Sequence, residues 1–322
     1  MDNTSGKKTT EPKKRKKHLK RRTAEILFIL AMLFLPVLQF CIFWIIPNFN
    51  SIFLGFQTSN GTFTTEHFTS FFEKLTSGKG STGKYDTIVY SIINSLIYFA
   101  VVIFFCTPLV LFFSYVLFRK VPGHTVFRVI FYLPTIIGGM VMATLFRCLF
   151  FGESAPFYIL LDKMGLITDE IAQKSLFGSS KTAFLMVIIY TVWTCVGLNM
   201  IMFHGAMKRI PPEIFESAEI DGAGFFNQFI HLVIPLIWPT ISTLIIFSLS
   251  GMFVAYGAVM VLTPEVPEAS MIGWYIVKET ENRGAGSLGY PAAVGLVFTF
   301  IGLPFVLLVR HLLNKITATV EY

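Results

Sequence analysis

Charge is the scarcest commodity in this 322-residue chain: only 14% of residues are Asp, Glu, Lys or Arg, against 54% hydrophobic. A water-soluble domain carries about 25% charge. A surface this poor in charge excludes a soluble enzyme, a disordered chain and a nucleic-acid binder. Cysteine is also scarce. Cys41, Cys106, Cys148 and Cys195 all sit in or beside apolar runs, with no CxxC and no neighbouring His pair. That pattern fits buried thiols and argues against a disulfide framework or a metal site. Titratable side chains suited to catalysis are scattered: the six histidines form no dyad with a carboxylate in sequence. No Asp or Glu falls in the middle of an apolar run, so an ion-coupled carrier lacks its expected carboxylate. The pattern Gly-x4-Gly-Lys-Ser/Thr is missing, so ATP bound through that loop would have to be held by a partner.

What is present is apolar length. A bilayer core takes about 20 mostly apolar residues as helix. Six stretches qualify, near 25–47, 88–118, 126–150, 183–207, 232–263 and 290–313. The expectation is an all-α integral membrane protein with six transmembrane helices. Pro108, Pro235 and Pro239 predict kinks or interfacial ends in the two longest stretches. Residues 1–23 form a basic tail. Its first 22 hold ten Lys/Arg against Asp2 and Glu11, a net +8, while the net charge of the whole chain is +7. The apolar run that follows is too long for a signal peptide, and no small-residue cleavage site closes it. The tail reads as a cytoplasmic anchor, able to touch anionic lipid, with both termini inside by the positive-inside rule. On that topology the tail's side carries 17 of the 26 Lys/Arg. The outer loops are 48–87, 151–182 and 264–289, with a Gly/Ser/Thr cluster at Thr76–Thr82, and Trp274 and Tyr275 read as interfacial aromatics. Arg128 and Arg147, near span ends, read as snorkelling cations.

One cytoplasmic segment, 208–235, breaks the apolar pattern. Pro211-Pro212 can open a helix, because the missing N–H groups would be unpaired there anyway. Glu213 and Glu216 fall in its first turns, where negative charge suits the helix dipole. Gly222 is a natural left-handed stop. Phe225, Phe226, Phe229 and Ile230 then give a second helix an apolar face. Such a helix–turn–helix, acidic on one side and apolar on another, suits docking in the groove of a cytosolic partner.

The spacing Glu216-x-Ala218-x3-Gly222-x9-Leu232-x-Ile234-Pro235 resembles the EAA loop of ATP-binding-cassette importer permeases, and Asp221-Gly222-Ala223 resembles the form found in their carbohydrate-type members, such as maltose and glycerol-phosphate importers. Ser217 stands where the family has its first Ala. Ile46-Pro47 with Ser51–Phe56, Phe127-Arg128 with Leu133-Pro134, and Gly289-Tyr290-Pro291-Ala292-Ala293 resemble further family segments in the same order. Val261-Leu262-Thr263-Pro264 replaces the GGP often found after the fifth span. The resemblance covers about residues 25–313. It implies a permease subunit, not itself an enzyme, of an importer for a sugar, an oligosaccharide in particular. It implies no cofactor on this chain, with ATP and Mg2+ in a cytosolic ATPase dimer. It also implies a second permease, as a heterodimer, and an extracytoplasmic solute-binding protein. Glu216 would contact the ATPase, Ala218 would allow close approach and Gly222 would set the turn, with Ser217, Asp221 and Ala223 completing the coupling set, Asp221 also fitting a capping or turn side chain. Pro235 would shape the approach to the fifth span, and the loop at about 208–235 would carry a cytoplasmic coupling helix between helices 4 and 5. Importers of glycerol phosphate or polyamines share this loop, and an ion-coupled carrier is the reading from another transport class.

Substrate contacts are sought among polar and aromatic residues inside the spans. Tyr190, Trp193, Thr194 and Gly197 share a helix face at i, i+3, i+4, i+7. Ser248, Met252 and Tyr256 form a stripe on the fifth span. Beside it, Gly251 and Ala255 have the small-xxx-small spacing of a packing face. Asn94 and Asn199 add intramembrane amides. Aromatic faces with hydroxyl and amide groups suit sugars, and each of these residues also fits plain packing between helices.

Overall fold

The computed structural model describes residues 12–58, 60–77, 86–283 and 288–317. Much of the basic tail (1–11) and positions 78–82 of the Thr76–Thr82 cluster therefore lie outside the described residues. Among the described residues the chain is helical, with one isolated bridge between Gln57 and Phe63.

A first helix starting at Pro12 carries the apolar segment α1 (Ala24–Gly55). After it come α2 (Glu66–Ser77) and α3 (Thr87–Phe118). Then follow α4 (His124–Ile136), α5 (Gly139–Phe150), α6 (Pro156–Lys163) and α7 (Asp169–Gly178). The next apolar helix is α8 (Ala183–Met207). The second half holds α9 (Pro212–Ile220), α10 (Phe225–Leu236), α11 (Trp238–Val254) and α12 (Gly257–Leu262). It closes with α13 (Ile272–Arg283) and α14 (Gly289–Thr317). Four segments, α1, α3, α8 and the greater part of α14, are long and apolar enough to cross a membrane. Two bent pairs, α4–α5 at 105° and α10–α11 at 72°, bring the number to six if each pair counts as one span.

The bends show how two of the expected stretches are built. The stretch 126–150 folds as two helices, because α4 ends at Ile136 and the chain turns at Gly138, which is extended (φ −56°, ψ 138°). The stretch 232–263 is interrupted twice. Ile237 separates α10 from α11 just before Pro239, and Ala255 leaves helical geometry (φ −70°, ψ 111°) after Val254. Pro108, in contrast, produces no break: α3 runs continuously through it. The wide π turn Val102–Cys106 ends two residues before Pro108. The same offset recurs at Cys41–Ile45 before Pro47 and at Phe229–Val233 before Pro235. A proline ring clashes with the carbonyl four residues back and offers no N–H to it. A wider turn relieves the clash while the helix continues.

Packing among the described residues gathers in separate clusters. One cluster joins α3 and α8 to α9–α11 through Tyr115, Met200, Phe203, Met207 and Phe215. A second gathers α5–α8, α12, Met271 and Trp274. A third joins α2, α13 and α14 through Phe71, Tyr275, Tyr290 and Val294. None of the most apolar 18 residues of α1 is buried, so its side chains are available to lipid. Its last turn is an exception: a methyl on Gly55 would come 2.7 Å from Leu296 Cδ1 and 3.3 Å from the Ala293 nitrogen. That glycine lets α1 cross α14 closely.

Trp274 and Tyr275 are buried, 6% and 4% exposed, not interfacial. α13 folds back against the core, and the Tyr275 hydroxyl pairs with that of Tyr290 at 2.9 Å. Lys74 Nζ and the Arg283 guanidinium each lie 4.5 Å from the centre of the Tyr290 ring, which ties α2 and α13 to the start of α14.

Candidate functional site

The segment 208–236 folds as an elbow. Pro211 caps α9, Pro212 opens it and Glu213 lies in its first turn. Its end is a Schellman stop. The Ala223 N–H donates to Ala218 O at 2.8 Å, the Gly222 N–H donates to Glu219 O at 3.0 Å, and Gly222 has φ +80°. Two carbonyls that the helix end would leave orphaned are thereby satisfied. The Gln228 Nε2 donates back to Ala223 O at 2.8 Å, fixing the start of α10 against the turn.

Aromatic packing seats the elbow on the end of α3. Phe215, the buried face of α9, lies 5.5 Å from the Phe118 ring. The Tyr115 ring meets Phe225 at 4.6 Å and Phe229 at 5.1 Å. Phe226 remains 65% exposed and stacks on Phe112 at 6.3 Å. At the rim, Arg119 donates to Glu219 at 2.7 Å and holds that carboxyl below its ordinary range, first through the hydrogen bond and then through its charge. Glu216, Ser217, Asp221 and Gly222 are exposed, whereas Ala218, Ala223 and Pro235 are half-buried. Ile220 projects at 86% exposure beside them. α9 thus presents an acidic edge with one apolar tip on a rigid base.

A second feature lies between α3, α8 and α11–α12. A cavity of ≈ 380 Å³ is lined by Tyr98, Tyr190, Thr191, Thr194, Cys195, Asn199, Ser248, Gly251, Tyr256 and Met271, among others. The Tyr190 hydroxyl donates to Gly139 O at 3.0 Å, which fixes its ring. Thr191 donates to Val187 O at 2.8 Å and Thr194 to Tyr190 O at 2.9 Å. Their oxygens keep lone pairs that can accept from a ligand hydroxyl.

Of the eight residues expected to touch substrate, five line this cavity: Tyr190, Thr194, Asn199, Ser248 and Tyr256. Asn94 is placed elsewhere, its amide donating to Glu268 O at 2.8 Å and Ser270 O at 2.9 Å. Met252 is buried in α11, and Trp193 is 42% exposed outside the lining. The expected stripe on the fifth span dissolves because the helix ends at Val254, so Tyr256 reaches the cavity from the break. Gly251 and Ala255 line the cavity too, and a methyl on Gly251 would meet nothing within 4 Å. Gly197 packs instead: a methyl there would overlap the Thr135 side chain on α4. Arg147 is held, not extended: it donates to Val261 O at 3.3 Å and lies over the Phe151 ring.

Tyr98, Thr191, Cys195 and Met271 escaped the sequence reading. Tyr98 follows Asn94 by four, so the face of that amide could have found it. Met271 lies just ahead of α13, and helical periodicity does not reach it.

Residues 126–318 match the family described as "Binding-protein-dependent transport system inner membrane component". The probable ABC transporter permease protein YurN of Bacillus subtilis is 28% identical over 289 residues, 85% of this chain and 92% of that one. The multiple sugar-binding transport system permease protein MsmF of Streptococcus mutans is 27% identical over 193 residues, 59% and 64% of the two chains. The arabinooligosaccharides transport system permease protein AraP of Bacillus subtilis is 26% identical over 188 residues, 57% and 58%. Among solved structures, a chain of a bacterial ABC transporter involved in the import of the acidic polysaccharide alginate superposes with a TM-score of 0.77 at 21% identity, covering 93% of this chain and 99% of that one. With its apolar helices, its capped elbow and a family match across more than half its length, the chain belongs to the binding-protein-dependent inner-membrane components, the permease subunits of ATP-binding-cassette transporters.

Proposed function

We propose that this chain is one of two different permease subunits of an importer that moves a neutral oligosaccharide across the cytoplasmic membrane, driven by ATP hydrolysis in a cytosolic ATPase dimer. It crosses the membrane six times, each bent pair counting as one span, with both termini inside. An extracytoplasmic solute-binding protein delivers the sugar. α9 is the coupling helix, and Glu216, Ser217, Ala218, Asp221, Gly222 and Ala223 form its contact with the ATPase, while Pro235 sets the angle into the fifth span.

The observation that carries this reading is the elbow. Its exposed acidic edge stands on a base of Phe215, Tyr115, Phe225 and Phe229, with Arg119–Glu219 at the rim. A short rigid helix transmits a push as a rigid-body motion, here directly into α3 and α10. The sugar reading draws on the relatives named for multiple sugars and arabinooligosaccharides and on the cavity. Its lining joins tyrosine rings to hydroxyls and an amide, without Asp, Glu, Lys or Arg among the described residues. A neutral glycan would match that lining, and an anionic one would leave its charge without a counter-ion. The neighbour that imports an acidic polysaccharide differs in the charge of its cargo, whatever the likeness of fold.

Copurification from detergent-solubilised membranes tests the coupling. The chain should carry the ATPase with it, and Glu216→Lys should reduce the bound ATPase at least about tenfold, since a reversed charge at a contact costs several kcal/mol. A chain that never associates with an ATPase, or one whose association ignores Glu216, Ser217 and Gly222 alike, defeats the proposal.

A further inference from the structure

The cavity wall formed by the break after α11 rests on a fixed support. Gly273 lies in the first turn of α13 and touches the break directly. A methyl there would come 2.9 Å from the Val254 carbonyl carbon, 3.0 Å from Ala255 O and 3.1 Å from Val254 O. These are backbone atoms, so no side chain can swing aside. The support itself is bolted to α3. The Ser91 and Ser270 hydroxyls are paired at 2.9 Å, the Asn94 amide donates to Glu268 O and Ser270 O, and the Ile272 N–H donates to Ser95 Oγ at 3.0 Å. Met271, held within this latch, points its own surface into the cavity. In the break that Gly273 touches, Ala255 and Tyr256 have left helical geometry, so it has no internal ladder to resist a push.

We propose that the latched wedge Ser270–Gly273 sets the width of the cavity and thereby the largest substrate it admits, with Gly273 as the size-determining residue and Asn94 as its positioning residue. This rests on the reading of the cavity as the substrate site. With the wedge fixed to α3, any bulk added at Gly273 displaces Val254–Tyr256 toward the cavity. With Asn94 removed, only the Ser91–Ser270 and Ser95–Ile272 bonds hold the wedge, so it can give way and absorb part of the same bulk. Asn94 therefore acts on size through backbone carbonyls, without touching sugar.

Cys195 lines the cavity and reports its width without any sugar. In a full-length chain carrying Cys41→Ser, Cys106→Ser and Cys148→Ser, assembled with its partner subunits, the rates of modification by a small and a bulky methanethiosulfonate reagent are compared. Gly273→Ala should slow the bulky reagent about tenfold more than the small one, as overpacking against backbone does. Adding Asn94→Ala should return the ratio toward that of the parent chain. Met271→Ala should favour the bulky reagent, and it decides the matter if Gly273→Ala does not accumulate. An unchanged ratio in Gly273→Ala or in Met271→Ala, or a Gly273→Ala effect that persists undiminished beside Asn94→Ala, overturns the proposal. Because no sugar enters the assay, its failure is distinguishable from a wrong substrate assignment.

Discussion

Phe215 and Glu219 sit on one short helix and do different work. Phe215 is 7% exposed between Phe118 and the Arg119 guanidinium. Truncating a buried Phe to Ala costs about 3–5 kcal/mol. Phe215→Ala should therefore loosen α9 from α3 and lower transport-coupled ATP hydrolysis while the spans stay inserted, which proteolysis of the elbow in intact membranes would reveal. Glu219 is tied to Arg119 outside the spans, and its carboxyl is held below the ordinary range by that partner. A carboxylate with a depressed folded value contributes its stabilisation above its unfolded value, and loses it as pH falls through the folded one. The rim pair should thus persist at neutral pH and release only at a pH lower than that at which an ordinary Glu takes up its proton. Hydrogen exchange of α9 as pH is lowered should show the release in the parent chain and no such step in Glu219→Gln. At this scale, sequence legibility depended on how local the cause was. Gly222 could be read because a left-handed stop is a property of a few adjacent residues. Asn94 could not, because the carbonyls that occupy its amide lie 174 and 176 positions away.

Helices were legible where apolarity alone defines them, and less so where they turn. α3 and α8 fall close to where the hydropathy placed them, at Thr87–Phe118 and Ala183–Met207. The 105° turn between α4 and α5 was hidden, since Gly138-Gly139 lies inside an apolar run and hydropathy carries no direction. Proline was a partial guide: the 72° bend at Ile237 falls between Pro235 and Pro239, as those residues predict. Pro108 is absorbed by a π turn, while the break at Ala255 has no proline within it. Close crossings were likewise out of reach. Gly197 looked like part of a binding face, yet it is where α8 meets α4. Gly197→Ala should overpack that crossing and cost about 1–3 kcal/mol, read as a lower unfolding temperature in detergent. Thr135→Ala in the same chain should recover part of the loss. An unshifted unfolding temperature in Gly197→Ala would mean that α4 and α8 do not pack as described.

For the molecule as a whole, the distribution of charge and apolar length already separates three parts: a basic tail, apolar spans and an acidic loop. Folding adds the relation among them. The elbow is wedged against α3, and α3 lines the cavity at Tyr98 and carries the latch at Ser91, Asn94 and Ser95. One helix therefore runs from the proposed ATPase contact to the proposed substrate site, so a push on α9 reaches the cavity without a flexible relay. The most direct test is uptake by proteoliposomes holding this chain with its second permease and ATPase, supplied with the solute-binding protein and a labelled neutral oligosaccharide that it binds. Accumulation that requires ATP and stops with Gly222→Val, whose branched side chain cannot easily hold the φ of +80°, is the predicted result. Accumulation that follows a sodium or proton gradient in the absence of ATP would contradict it.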